Sequence, residues 1–153
     1  MTALAATTTT IPAMTAETIE QVRAFEALVR QEPQVVLETS HVLHAGMYAR
    51  TIVVPAGVVL CATLIKLPTI VIVQGHAAFH TGDGEIIEVE GYQVIPAAAG
   101  RKQVIYAHAD TWITMAFPTD AKSVEAAENE FTDEADTLGS RRYDCNTTTI
   151  TGV

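Results

Sequence analysis

The residues best suited to chemistry are five histidines, His41, His44, His76, His80 and His108. Imidazole binds metals and moves protons near neutral pH, so their spacing comes first. His76 and His80 are four apart on a predicted strand. At about 3.3 Å per residue their Cα atoms lie roughly 13 Å apart, too far to share one ion. His41 and His44 are three apart in extended chain and point to opposite faces. His108 precedes Ala109-Asp110 at a strand end. A metal set would therefore have to be assembled from different strands. Other reactive groups have less support. Ser40 and Ser123 have no nucleophile-elbow context. Cys61 sits in an apolar strand that would keep its thiol protonated and inert. Gly82 and Gly84 flank a hairpin turn with no helix after it, so they do not form a phosphate loop. Arg101-Lys102 is a basic pair that could receive an acidic group, including another subunit's acidic helix, or could face solvent. Trp112, Tyr92 and Tyr106 could stack on a sugar ring; as strand residues they could equally be core or surface.

These side chains would be positioned by a run of short strands between Tyr48 and Phe117. The segments are rich in Val, Ile, Thr and aromatics, and turn signals recur roughly every 8–12 residues, the pattern of an all-β sandwich or barrel. Pro55-Ala-Gly57, Pro68, Gly75, Gly82-Asp-Gly84, Gly91 and Pro96 punctuate it. Thr15 to Glu32 is predicted as a helix with Thr15 as N-cap. Ile19, Val22, Phe25 and Val29, with Leu28 beside them, make its apolar stripe, and Pro33 ends it. A second helix is predicted from Asp120, its N-cap, to Leu138-Gly139, with Val124, Ala127 and Phe131 on one face. Asp120 to Asp136 carries seven acidic residues against one lysine. That stretch reads as a solvated face or as a contact surface for a basic partner. Residues 1–14 read as a flexible Thr-rich arm, 15–140 as one domain, and 141–153 as a Thr-rich tail.

The chain has 153 residues, a formal charge of −9 and only nine Lys and Arg. One domain with a real core is expected. The acidity argues against a nucleic-acid backbone as partner. No apolar run is long enough to span a bilayer, and Met1 to Met14 lacks the pattern of a signal peptide, so a soluble protein made in the cytoplasm is expected. Cys61 and Cys145 lack metal-binding spacing and are expected to stay free.

Val71-Ile-Val-Gln-Gly75, Gly82-Asp-Gly-Glu85 and Gly91-Tyr-Gln-Val-Ile-Pro96 resemble, in that order, the glycine-closed strand, hairpin and Gly-to-Pro segment of cupin barrels. The resemblance implies an all-β, jelly-roll/cupin-like barrel or sandwich with one N-terminal and one C-terminal flanking helix. The family's metal ligands do not carry over. Their positions fall near Cys61, Thr63 and Pro68 and in Gly100 to Gln103, where no His or Glu stands. The strings His41 to Arg50, Ile52 to Gly57 and His108 to Trp112 resemble small cupin-like proteins encoded among tailed-bacteriophage structural genes. That resemblance implies a non-catalytic virion part: a capsid decoration or cement protein on the capsid exterior. Its partner would be the major capsid protein, and it would form a dimer or trimer whose terminal arms order on assembly. It implies no catalytic, cofactor-binding or metal-binding residue. The alternatives are a metal-dependent cupin enzyme with ligands drawn from His41, His44, His76, His80 and His108, or a sugar- or small-ligand-binding barrel of a phage tail.

Overall fold

The computed structural model describes residues 9–82 and 84–152. The chain begins with helix α1, Ala16–Val29, followed by strands β1 (Thr39–His44), β2 (Met47–Val54), β3 (Val59–Cys61), β4 (Thr69–Gly82), β5 (Glu85–Ala97), β6 (Val104–Ala107) and β7 (Thr111–Pro118). Helix α2 (Val124–Phe131), a 3-10 turn (Ala135–Thr137), helix α3 (Gly139–Arg142) and strand β8 (Asn146–Thr151) complete it. The fold is mostly β, a curled half-barrel with flanking helices, as the jelly-roll/cupin-like expectation required.

The strands run β3-β6-β4-β7-β2-β1-β8, with β5 on the free side of β4. The fourteen-residue β4 organises the sheet. One edge pairs with β5 along its length. The other pairs with β7 from Ile70 to Gln74 and with β6 from Ala77 to His80. Odd-numbered residues of β4, Val71, Val73, Ala77 and Phe79, are buried, and they form one core with Ile95, Ile105 and Ile113. A second core joins Leu43, Tyr48, Met115 and Phe117 to Ala127 and Phe131 of α2 and to Leu138. The period-2 alternation thus sends one side of the sheet inward and leaves the even-numbered side facing out.

Several expectations are corrected. Residues 9–14 of the arm are docked: Ile11 is 1% exposed. Its N–H donates to Pro96 O at 3.0 Å, and Ala98 N–H donates to Ile11 O at 2.8 Å. Residues 1–8 lie outside the described residues. The 141–153 tail contains β8, paired in parallel with β1 from Asn146 against Thr39 to Thr151 against His44. The second helix starts at Val124, because the Ser123 hydroxyl, not Asp120, accepts the Ala126 N–H (3.1 Å). It ends at Phe131, where Thr132 turns extended. The stripe of α1 is rotated: Thr18 and Val22 are buried, whereas Phe25 and Leu28 are 41% and 63% exposed. The turn at Thr18 lies against Gly82, whose Cβ position is 3.0 Å from the Thr18 methyl. No helix among the described residues is long and apolar enough to cross a membrane.

Candidate functional site

Two places on the sheet bring chemistry-bearing residues together, one inside and one outside. Inside, a chamber of about 580 Å³ opens between the sheet, the C-terminal half of α1 and residues 137–143. Its walls are largely apolar, with Ile52, Leu60, Phe79, Ile105 and Ile113 among them, and Arg101 and Gln103 belong to the same lining. The Arg101 side chain is buried in the wall (2% exposed). Its guanidinium donates to Ala98 O (2.7 Å), Leu67 O (3.3 Å) and Thr69 Oγ1 (2.7 Å), and Nη2 lies 3.7 Å from Met115 Sδ. None of these partners is a carboxylate. Burial therefore pushes the guanidinium down to about 10, with no negative charge to offset it. Gln103, also buried, keeps an Nε2 with no hydrogen-bond partner among the described residues.

The basic pair read as solvent-facing, or as free for another subunit's acidic helix, is neither. Lys102 has an entirely buried side chain, 2.9 Å from Glu26 and 3.5 Å from Glu134. It also donates to Ala62 O at 3.0 Å. Its acidic partners come from α1 and the acidic stretch of the same chain. A buried ammonium needs such partners, and the nearest were intramolecular.

Of the places that the cupin resemblance would give to metal ligands, Cys61, Thr63, Arg101 and Gln103 line the chamber. Cys61 is half-buried with its thiol pushed up by burial, Thr63 donates its hydroxyl to Glu134 Oε2 (2.9 Å), and the cationic Arg101 lines the wall. A thiol held protonated, a committed hydroxyl and a cation are a poor donor set for a metal cation.

Outside, His76 on β4, Glu88 on β5 and His108 just beyond β6 converge. Their ligand atoms lie within 4.8 Å of one another. His108 Nε2 is 3.1 Å from Glu88 Oε2 and 3.3 Å from Oε1. His76 Nε2 is 3.5 Å from Glu88 Oε2, and the two rings are 4.4 Å apart. The register explains the meeting. Ala78 lies opposite Glu88 on one side and Tyr106 on the other, so His76 and His108 stand one row away on the same outward face. No spacing in the sequence links Glu88 to these histidines. Its approach to two histidines depends on long-range pairing.

The other histidines do not join this group. His41 is buried at 1%. Asn146 Nδ2 donates to Ser140 O (2.7 Å), which orients Asn146 Oδ1 as acceptor of His41 Nε2–H (2.6 Å). His41 Nδ1 then accepts the Tyr48 hydroxyl proton (2.7 Å). Burial holds this imidazole below its ordinary value, so the neutral form fits the arrangement. His44 is exposed, with Nδ1 3.0 Å from Thr151 Oγ1. His80 keeps a buried Nδ1 without a partner among the described residues. Tyr92 and Trp112 flank Gln74 on the outer face, and Tyr106 meets the His108 ring edge-on at 5.1 Å. They are surface residues of the strands, not a shared ring-stacking cleft.

No protein-family model matches the chain, and no curated protein sequence matches it. Among solved structures it is similar to an uncharacterized conserved protein with a double-stranded β-helix domain from Klebsiella pneumoniae. The two share 15% identity over 59% of this chain and 80% of that chain, with a TM-score of 0.47. It is also similar to a cupin superfamily protein from Desulfitobacterium hafniense, with 13% identity over 58% of this chain and 83% of that chain and a TM-score of 0.47. A cupin 2 conserved barrel domain protein from Salinispora arenicola is 16% identical over 60% of this chain and 84% of that chain, with a TM-score of 0.43. These likenesses concern the fold alone.

Proposed function

We propose that this chain is an assembly protein, a cupin-like decoration or cement subunit. It would self-associate as a dimer or trimer and stabilise a larger protein shell, a phage capsid in the reading that the resemblance implied. One observation carries the proposal. The outer face of β4, β5 and β7 leaves Ile70, Val94, Tyr92 and Trp112 at 48%, 53%, 65% and 47% exposure. The strand register places them in adjacent rows: Pro96-Ile70-Ala116, Val94-Ile72-Thr114 and Tyr92-Gln74-Trp112. Exposed apolar side chains clustered on neighbouring strands suit a protein contact. Particles purified from cells carrying the gene should contain the chain at a constant ratio to the major capsid subunit. The isolated protein should run as a dimer or trimer in light scattering, and Val94→Glu should make it monomeric and absent from particles. A monomeric wild-type chain that is missing from particles overturns the proposal.

A second reading, a small-ligand barrel, rests on a different observation. Among the described residues, Arg101 has no carboxylate partner and Gln103 Nε2 has no hydrogen-bond partner, and both residues line one chamber with apolar walls. A ligand with an apolar body and an anionic head would answer both. This reading is compatible with an assembly role and concerns the opposite face of the sheet.

A further inference from the structure

We propose that His76, Glu88 and His108 form a divalent transition-metal site, zinc being the ion that suits them best, on the outer face of the sheet. The inference rests on side-chain geometry and is independent of the assembly reading. A tetrahedral ion bound at about 2.1 Å by nitrogen and oxygen places its donors about 3.4 Å apart. The measured spacings to Glu88 Oε2 are 3.1 Å from His108 Nε2 and 3.5 Å from His76 Nε2. Two of the three donor spacings therefore match one coordination sphere, and all three ligand atoms lie within 4.8 Å of one another. Two imidazoles and a carboxylate are a donor set suited to zinc and its neighbours rather than to calcium or magnesium, which take oxygen.

The scaffold holds them in place. His108 N–H donates to His76 O (2.9 Å), as does Ala109 N–H (3.3 Å), which locks the two histidine-bearing segments together. Glu88 arrives from β5, whose register with β4 is continuous from Thr69 to His80. The side chains remain 39%, 55% and 35% exposed for His76, Glu88 and His108, so a fourth position faces solvent. Water, or a donor from a second copy, can occupy it. This site lies on the side of the sheet opposite the chamber, with a different ligand set from the one the barrel interior would have required.

Isothermal titration with zinc chloride at pH 7.5 tests the site on the full chain. One ion per chain is expected. Binding should weaken at least tenfold in His108→Ala and in Glu88→Gln, two partly exposed positions whose variants should keep the wild-type circular dichroism. His44→Ala, on β1 and separated from β4 by β7 and β2, should bind as the wild type does. Cobalt substitution gives a readout independent of heat, a visible absorption band of low-coordinate cobalt that is lost in both site variants. No binding at about 100 µM zinc, far above the range of a functional site, overturns the proposal. So does binding that His108→Ala and Glu88→Gln both retain.

Discussion

Glu134 joins three separate parts of the chain through one carboxylate. Arg23 of α1 donates to Oε1, while Thr63 Oγ1 (2.9 Å) and Leu64 N–H (3.3 Å) donate to Oε2, with Lys102 Nζ 3.5 Å away. Burial alone would push this carboxyl up. The Arg23, Thr63 and Leu64 hydrogen bonds and the Lys102 charge outweigh it and hold the group at about 2. A carboxyl whose folded value lies below its unfolded value binds fewer protons when folded. Its stabilisation is complete above about pH 4.5 and is lost as pH falls through about 2. Glu128 acts in the same direction. Burial raises it, but hydrogen bonds from Ser140 and Arg141 and the nearby Arg50 leave it below the ordinary value. Urea midpoints should fall between pH 5 and pH 2.5, and Glu134→Gln should flatten that dependence. The substitution should cost on the order of 2–3 kcal/mol at pH 7. An unchanged pH profile in the variant would remove Glu134 from the account. The acidic stretch was legible in the sequence as charge. Which of its carboxylates turn inward was not, because Arg23 and Lys102 reach Glu134, and Arg50 reaches Glu128, from distant parts of the chain.

At the scale of elements, β4 serves two neighbours along one edge, and the change of partner happens at Gly75. Its φ is +143°, and a Cβ there would lie 2.7 Å from Asp110 O and 2.8 Å from Thr111 Cα. Both are backbone atoms that cannot move aside, so the start of β7 packs directly on the glycine. Gly75→Ala should destabilise the fold by about 2–4 kcal/mol, from strain and overlap together, and should loosen the β4–β7 junction first. Hydrogen exchange would show this as lost protection of Val73 and Ile113 before the β4–β5 pair opens. Equal loss across the sheet would refute the local explanation. The sequence marked Gly75 as a break between two short strands. In the structure it is a point within one long strand where another strand comes close, and only the pairing distinguishes the two. The Thr-rich C-terminal run was likewise read as a tail. Its residues alternate nothing hydrophobic, and β8 is exposed throughout, so no apolar pattern announced a strand. Backbone pairing to β1 and the Asn146–His41 hydrogen bond hold it there.

At the scale of the whole molecule, the sheet has two faces of different chemistry. The inner chamber is closed by parts of the chain far apart in sequence, with Phe25 and Glu26 on one side and Arg142 and Tyr143 on another. A ligand held there should stabilise the fold as a unit. Octanoate, an apolar chain with a carboxylate head, is a suitable probe. At tenfold its dissociation constant it should add about 1.4 kcal/mol, a rise of roughly 4 °C in Tm. Arg101→Met keeps the volume and removes the charge, so the rise should disappear in that variant. No rise in the wild type, or an equal rise in both proteins, would exclude an anion site at Arg101. The outer face carries the exposed apolar rows and, beside them, the histidine pair. A contact made there and an ion bound there would lie within a few residues of each other.

The sequence by itself determined the all-β class and the two flanking helices, because β-branched runs, turn glycines and helical apolar spacing act over a few residues. It also put Cys61, Thr63 and Pro68 at places where the cupin resemblance would call for metal ligands. Only the tertiary structure decided which strands pair. That pairing brought Glu88 to His76 and His108, buried Lys102 among carboxylates of its own chain, left Arg101 without one, and turned Ile11 and Asn146–Thr151 from arm and tail into parts of the sheet. Each of these depends on register between segments tens of residues apart, where a slip of one residue would send every side chain to the opposite face.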